Sequence, residues 1–184
     1  MDNITRLVII TGFTGVGKTT FCQVVSEVSK FEDINTGYCL KKFMEAEGLK
    51  TQHKFEIGRS FLNTYGEETV FDVINGWIKP GGTYILDGIR LFSTYTLFKQ
   101  NYEKVKTVFI DANELSRTKR YYEWLVKDGL DSDHALQIAM KQEEYYDELI
   151  KIRDSSEIII NNTGNLEELK FQAFAFGKNL SYSF

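Results

Sequence analysis

Gly12-Phe13-Thr14-Gly15-Val16-Gly17-Lys18-Thr19 follows directly on the apolar run Leu7-Val8-Ile9-Ile10. The order is glycine, four residues, then Gly-Lys-Thr, the form of a phosphate-cradling P-loop. Gly12, Gly15 and Gly17 let the backbone turn tightly around an anion, so that successive N–H groups point at phosphate oxygens. A helix starting near Lys18 adds the positive end of its dipole at the same point. Lys18 then reaches the β- and γ-phosphates of ATP, the Thr19 hydroxyl ligates Mg²⁺, and Thr20 continues the helix. The expected donor site is thus Gly12, Thr14, Gly15, Val16, Gly17, Lys18, Thr19 and Thr20.

Working outward from this loop, the continuous apolar character of residues 6–11 predicts a strand buried on both faces of a parallel sheet. Residues 18–30 form a helix with Phe21, Val24, Val25 and Val28 on one side, and a short strand follows at 31–34. An amphipathic segment over 38–47 stops at Gly48. Residues 53–78 are helical in period, with Gly58 and Gly66 as dividers, and Lys79-Pro80-Gly81-Gly82 is a loop. Strands at 83–87, 105–110 and 157–160 alternate with helices at 91–100, 113–127 and 166–178. Asp131 or Ser132 caps a further helix running to about residue 152. The expected fold is a three-layer α/β P-loop NTPase fold with a five-stranded, largely parallel sheet. One domain over 1–184 carries a helical acceptor-binding insert at about 37–78 and a helical lid at about 117–145.

Composition narrows the function classes. A hydrophobic fraction of 42% with 26% charged residues excludes a disordered chain. No apolar run approaches the length of a membrane span. The N-terminus enters a strand at once without a signal-peptide pattern, so a cytoplasmic location is expected. The net charge of −4 and the lack of a long basic run argue against broad nucleic-acid binding. Cys22 and Cys39 lack metal-ligand spacing and read as free, partly buried thiols. His53 and His134 are far apart and read as surface or capping residues.

The remaining chemistry collects where predicted strands end. Ligands of open parallel sheets sit beyond the carboxyl ends of the strands, and Thr11–Thr19, Asn35–Gly37, Asp87–Arg90 and Asn161–Gly164 all fall there. Asp87 closes an apolar strand and is placed to hold Mg²⁺, directly or through water. Arg90 has the reach to grip an acceptor phosphate bidentately. Arg117 and Arg120 are three residues apart and share a helix face. With Lys119, Lys127 and Lys141 they supply cations on a helical hairpin suited to closing over donor phosphates.

These motifs resemble those of the nucleoside monophosphate kinase superfamily. The likeness rests on the P-loop, Asn35-Thr36-Gly37 heading a helix, Ile85-Leu86-Asp87-Gly88-Ile89-Arg90, and Ile158-Ile159-Ile160-Asn161-Asn162. Among its members, adenylate-kinase-like and dephospho-CoA-kinase-like proteins carrying Asp-Gly-Ile-Arg are the most similar. The resemblance implies that Thr36, Gly37, Lys41, Arg59 and Arg90 bind the acceptor, with lysine at 41 where adenylate kinases have arginine. It implies that Asn161 and Thr163 lie beside the donor adenine, and that Arg117 and Arg120 belong to the lid. Trp124 and Lys141-Gln142-Glu143-Glu144 stand where related kinases carry lid arginines.

The expected activity is transfer of the γ-phosphate of ATP–Mg to a (deoxy)nucleoside monophosphate, with Lys18, Asp87, Arg90, Arg117 and Arg120 as the catalytic set. A phosphate acceptor is already ionised, so positioning and charge neutralisation suffice. One alternative is a hydroxyl acceptor, as in a dephospho-CoA kinase-like enzyme, for which Asp33 is the local candidate base. Another is a non-catalytic nucleotide-binding protein. A GTPase is disfavoured, because Asn161-Asn162-Thr163-Gly164 lacks the Lys and Asp of a guanine reader.

Overall fold

The computed structural model describes residues 4–49, 56–141 and 143–180. Five strands, β1 (Arg6–Gly12), β2 (Glu32–Asn35), β3 (Thr83–Asp87), β4 (Lys104–Asp111) and β5 (Ile158–Asn161), form one sheet in the order β2-β3-β1-β4-β5. Every pairing is parallel. Leu7, Val8, Ile9 and Ile10 of the central β1 are wholly buried, as a strand covered on both faces requires. The register sets Ile10 beside Asp87 and Asn35 beside Asp87, so the carboxyl ends of β1, β2 and β3 form one ledge.

Nine helices occur among the described residues. α1 (Lys18–Ser29) leaves the loop after β1, and α2 (Thr36–Ala46) leaves β2. α3 (Ile57–Tyr65) and α4 (Glu68–Asn75) precede β3, and α5 (Phe92–Asn101) lies between β3 and β4. α6 (Glu114–Lys127), α7 (Ser132–Ala139) and α8 (Tyr146–Asp154) link β4 to β5, and α9 (Leu166–Leu180) ends the described chain. Gly177 of α9 fits against α1, where a Cβ on it would sit 3.1 Å from the Val28 Cβ.

The fold is the α/β parallel-sheet architecture expected, with local differences. Side-chain caps set three of the helix starts: Asn35, Asn113 and Asp131 each accept the backbone N–H three residues on, at the starts of α2, α6 and α7. Gly66, at φ +82°, separates α3 from α4, whereas Gly58 lies inside α3 and divides nothing. His53 lies outside the described residues. α1 buries Cys22 and Ser29 on its sheet side, while Val24 and Val28 are half-buried, so its inner face is rotated from the purely apolar one.

The largest difference is in the lid. The helix expected from residue 131 to 152 is broken between Ala139 and Tyr146. Its periodicity continues through the break, but Glu143 turns inward to Arg90 and Glu144 pairs with Arg59 at the surface. α6 and α7 are also set apart in packing: Leu125, Ala135 and Ala139 form a small buried cluster of their own, walled by Tyr121, Tyr122, Leu130 and Ile138. No helix of the described residues is long and apolar enough to cross a membrane.

Candidate active site

The P-loop spans the end of β1 and the start of α1. Gly15 and Gly17 sit at φ +78° and +95°, which side chains rarely adopt. A Cβ on Gly15 would lie 2.1 Å from the Arg117 carbonyl oxygen, and one on Gly17 would lie 2.7 Å from Leu169. Glycine here therefore serves two ends, the turn itself and the close approach of α6 and α9. Beneath the loop, buried Asn162 donates through Nδ2 to the Val16 carbonyl at 2.9 Å, and its backbone N–H donates to Asp111 at 2.7 Å. Asn162 thus ties the end of β5 to the loop, a positioning role the sequence reading did not give it. Asparagine after an apolar strand is also an ordinary turn signal.

Lys18 donates to the carbonyls of Gly12 and Phe13 at 2.8 and 2.7 Å, folded against its own loop. Burial first, then the nearby Arg90 guanidinium, pull its pKa down to about 8. Thr19 stands exposed on the first turn of α1 and Thr20 is half-buried behind it.

On the ledge next to the loop, Asp87 is 4% exposed and accepts a 2.8 Å hydrogen bond from Asn35 Nδ2. Asp33, two residues earlier on the same face of β2, brings a second carboxylate. Oxygens of both and the Cys22 sulfur lie within 4.8 Å of one another. Burial, then the charge of Asp87, push Asp33 up to about 6. Burial and both carboxylates raise the Cys22 thiol well above its ordinary value, so it stays protonated. Two carboxylates held this close suit a hard divalent cation, which removes their repulsion, whereas a protonated thiol is no ligand for Mg²⁺. The residues therefore fit Mg²⁺ at Asp87 with Asp33 as an added donor. Asp33 is thus a candidate addition to the expected set of Thr19 and Asp87, and Asn35 steadies Asp87.

Arg90, three residues after the end of β3, reaches back over the loop. Its Nη2 donates to Thr14 Oγ1 at 3.2 Å and its Nη1 to Glu143 Oε1 at 2.8 Å. The other oxygen of Glu143 accepts the Thr14 backbone N–H at 2.7 Å. The Glu143 side chain is only 4% exposed. Burial opposes its ionisation, but Arg90, the Thr14 hydrogen bonds and Lys18 outweigh this and hold the carboxyl below its usual range. Neighbouring Glu144 pairs with Arg59 of α3 at 2.9 Å. Sequence reading noted these glutamates only as replacements for lid arginines; nothing in the local pattern announces that Glu143 turns inward while Glu144 stays at the surface.

The other expected residues divide into two groups. Arg117 stacks on the Phe13 ring at 4.8 Å, and Arg120 donates to the carbonyls of Asn162 and Gly164 at 3.2–3.5 Å, so both border the loop from α6. Asn161 and Thr163 are exposed on the same rim. Buried Thr36 and Gly37 open α2 behind the ledge, where a Cβ on Gly88 would stand 3.3 Å from Thr36 Oγ1. Lys41 is turned instead to Glu45 on the exposed side of α2, 3.6 Å away.

Comparison with known proteins bears on the fold. No family model matches the chain, and no curated protein matches it by sequence. Solved structures do. Shikimate kinase from Bacteroides thetaiotaomicron aligns over 95% of this chain and 98% of its own, at 14% identity and a TM-score of 0.57. Dephospho-CoA kinase from Campylobacter jejuni aligns over 97% and 98%, at 14% identity and 0.56. Shikimate kinase from Aquifex aeolicus covers 97% and 99%, at 16% and 0.54. At such identities the likeness establishes architecture: the chain has the P-loop kinase fold of the adenylate-kinase-like type.

Proposed function

We propose that the protein is an ATP-dependent phosphotransferase that moves the γ-phosphate of ATP–Mg to a small phosphate-bearing acceptor, with nucleoside monophosphates the first class to test. The observation that carries this reading is the anion between Thr14 N–H and Arg90. A carboxylate of the chain itself bridges a donor-loop amide and the candidate acceptor arginine. That point suits an oxyanion passing between the two halves.

In this mechanism Gly12 to Thr19 cradle the triphosphate, and Lys18 leaves its two carbonyls to neutralise the β- and γ-phosphates. Asp87, steadied by Asn35, with Asp33 and Thr19, would hold Mg²⁺, which would supply charge neutralisation to the phosphates. Arg90 orients the acceptor phosphate in line, and Arg117 and Arg120 close the loop from the lid side. Water is excluded by Phe13, on which Tyr146 stacks at 5.3 Å. No strong base is needed, because the attacking phosphate oxygen is already ionised.

A hydroxyl acceptor is the second reading, favoured by Asp33, whose carboxyl is raised to about 6. Against it, Asp33 sits two residues short of the β2 terminus, roughly 6–7 Å back from the ledge where an acceptor would stand. A screen of nucleoside monophosphates, nucleosides, dephospho-CoA and hydroxyl-bearing metabolites with γ-labelled ATP decides. Label on a monophosphate supports the first reading, and label only on hydroxyl compounds replaces it with the second. Bound ATP with no acceptor labelled leaves a nucleotide-binding module.

A further inference from the structure

Cys22 lies one helical turn after Lys18 on α1 and is wholly buried. Beneath it, β2 and β3 pair with Asp33 beside Ile85 and Asn35 beside Asp87. Alternation of side chains along a strand therefore puts Asp33 and Asp87 on one face of the sheet, as diagonal neighbours. α1 covers that same face: the Cys22 sulfur and an oxygen of each carboxylate all lie within 4.8 Å of one another.

The charges in this group lack a cation. Asp87 is 4% exposed and accepts its hydrogen bond from the neutral Asn35 side chain. Among the described residues neither Asp87 nor Asp33 belongs to an ion pair. The Lys18 ammonium is directed to the Gly12 and Phe13 carbonyls instead. Buried charges are otherwise paired or bound to a metal. Asp33 is exposed, which opens the group to solvent and gives a cation its way in.

The third donor decides which cation suits the group. Mg²⁺ takes oxygen ligands in an octahedron and keeps several waters, so it has no use for sulfur. One sulfur with two carboxylate oxygens is the donor set of a softer cation that accepts four ligands in a tetrahedron. Donors around zinc in that geometry lie roughly 3.3–3.5 Å apart, so small side-chain rotations close the group. The fourth position is left to water or a phosphate oxygen.

We propose that Cys22, Asp33 and Asp87 form a binding site for a thiophilic divalent cation, Zn²⁺ or Cd²⁺, and that such a cation excludes Mg²⁺ from the ledge. On binding, the Cys22 S–H bond breaks, the sulfur electron pair forms the bond to the cation, and the proton passes to water. The site stands on its donor set; only the consequence, inhibition of Mg²⁺-dependent phosphate transfer, rests on the kinase reading above.

The test is ultraviolet absorption of the reduced, metal-free full chain during titration with Cd²⁺. A Cd²⁺–thiolate bond gives a charge-transfer band that carboxylates alone do not. A stoichiometric band is expected in the wild type and in Cys39→Ser, and its loss is expected in Cys22→Ser. No band in the wild type, or a band that persists in Cys22→Ser, overturns the proposal. Where Cys22→Ser does not fold, Asp33→Asn, at an exposed position, answers instead. Its Cd²⁺ affinity should fall by about tenfold or more, since even outer-shell groups of a metal site contribute that much; an unchanged affinity overturns the three-donor site. Excess Mg²⁺ should raise the apparent Kd for Cd²⁺, and indifference to Mg²⁺ overturns the shared position. A chain that shows the band but neither binds nor turns over ATP strikes the kinase reading alone, and a missing band beside intact ATP turnover strikes this proposal alone.

Discussion

The ledge that carries Lys18 and Asp87 and the segment that carries Glu143 and Glu144 meet at Thr14, yet they are built on opposite terms. The ledge is backbone-defined: parallel register, positive-φ glycines and a helix N-terminus place its groups, and Leu7 to Ile10 beneath it are fully buried. The segment between α7 and α8 is held by side-chain charges, Glu143 to Arg90 and Glu144 to Arg59, the second of which is exposed on both sides. Surface pairs of that kind contribute little, roughly 0–1 kcal/mol, and exchange partners readily. The contrast teaches where rigidity and adaptability are each needed. In the proposed kinase reading the donor cradle exists before the ligand arrives, whereas Arg90 and Arg59 would exchange their glutamates for an acceptor.

Substitutions can break or sharpen that contrast. The largest effect is expected on the ledge: Lys18→Ala should lower kcat/KM for ATP by about a thousandfold or more. Lys18 is half-buried, and its removal gives up two hydrogen bonds to its own loop while relieving its repulsion with Arg90, so the thermal midpoint should move little. A coupled ADP-release assay with a melting curve checks both, and retained turnover would remove Lys18 from the donor site. On the adaptable side, Arg90→Ala should raise the acceptor KM by about 10–100-fold and alter ATP affinity much less. Steady-state kinetics in both substrates tests this, and a loss confined to ATP would place Arg90 in the donor half.

Two smaller effects concern the supports of the ledge. Asn162→Ala removes the bond to the Val16 carbonyl in a buried setting and should cost about 1–3 kcal/mol in denaturant unfolding. A change within error would mean that the loop is held without it. Asp33→Asn should stabilise the protein, with a pH signature. Folding raises Asp33 to about 6 from an ordinary carboxyl value, so the folded state favours the proton. The wild type is thus penalised increasingly as pH rises from about 4 to about 6, and constantly above that. Melting curves without divalent cation should show the variant slightly ahead of wild type at pH 7–8 and level with it near pH 4, the margin being small because Asp33 is exposed and its charge is screened by water. Adding Mg²⁺ should raise the wild type more than the variant, and an equal response would separate Asp33 from the cation.

How much of this was legible beforehand follows from the range of the forces involved. The loop at 12–19, the strand ending in Asp87 and the caps Asn113 and Asp131 are local patterns, set by steric and hydrogen-bonding rules a few residues long. They were read from the sequence and lie within a residue or two of the structure. The break at 140–145 was not readable, because apolar spacing runs on through it and the cause lies 53 and 85 residues away, at Arg90 and Arg59. The place of Lys41 was likewise not readable: its spacing from Thr36 suits the acceptor helix, and only the structure shows its exposed ammonium 3.6 Å from Glu45.

By itself, then, the sequence determined an α/β chain with a phosphate loop between a buried strand and a helix, since glycine torsions, apolar runs and caps are properties of short stretches. Only the tertiary structure decided that Asp33 joins Asp87, that Asn162 steadies Val16, and that Glu143 sits on the Thr14 amide. Each of these depends on charges and amides brought together across the sheet, where burial, unlike sequence spacing, sets their strength.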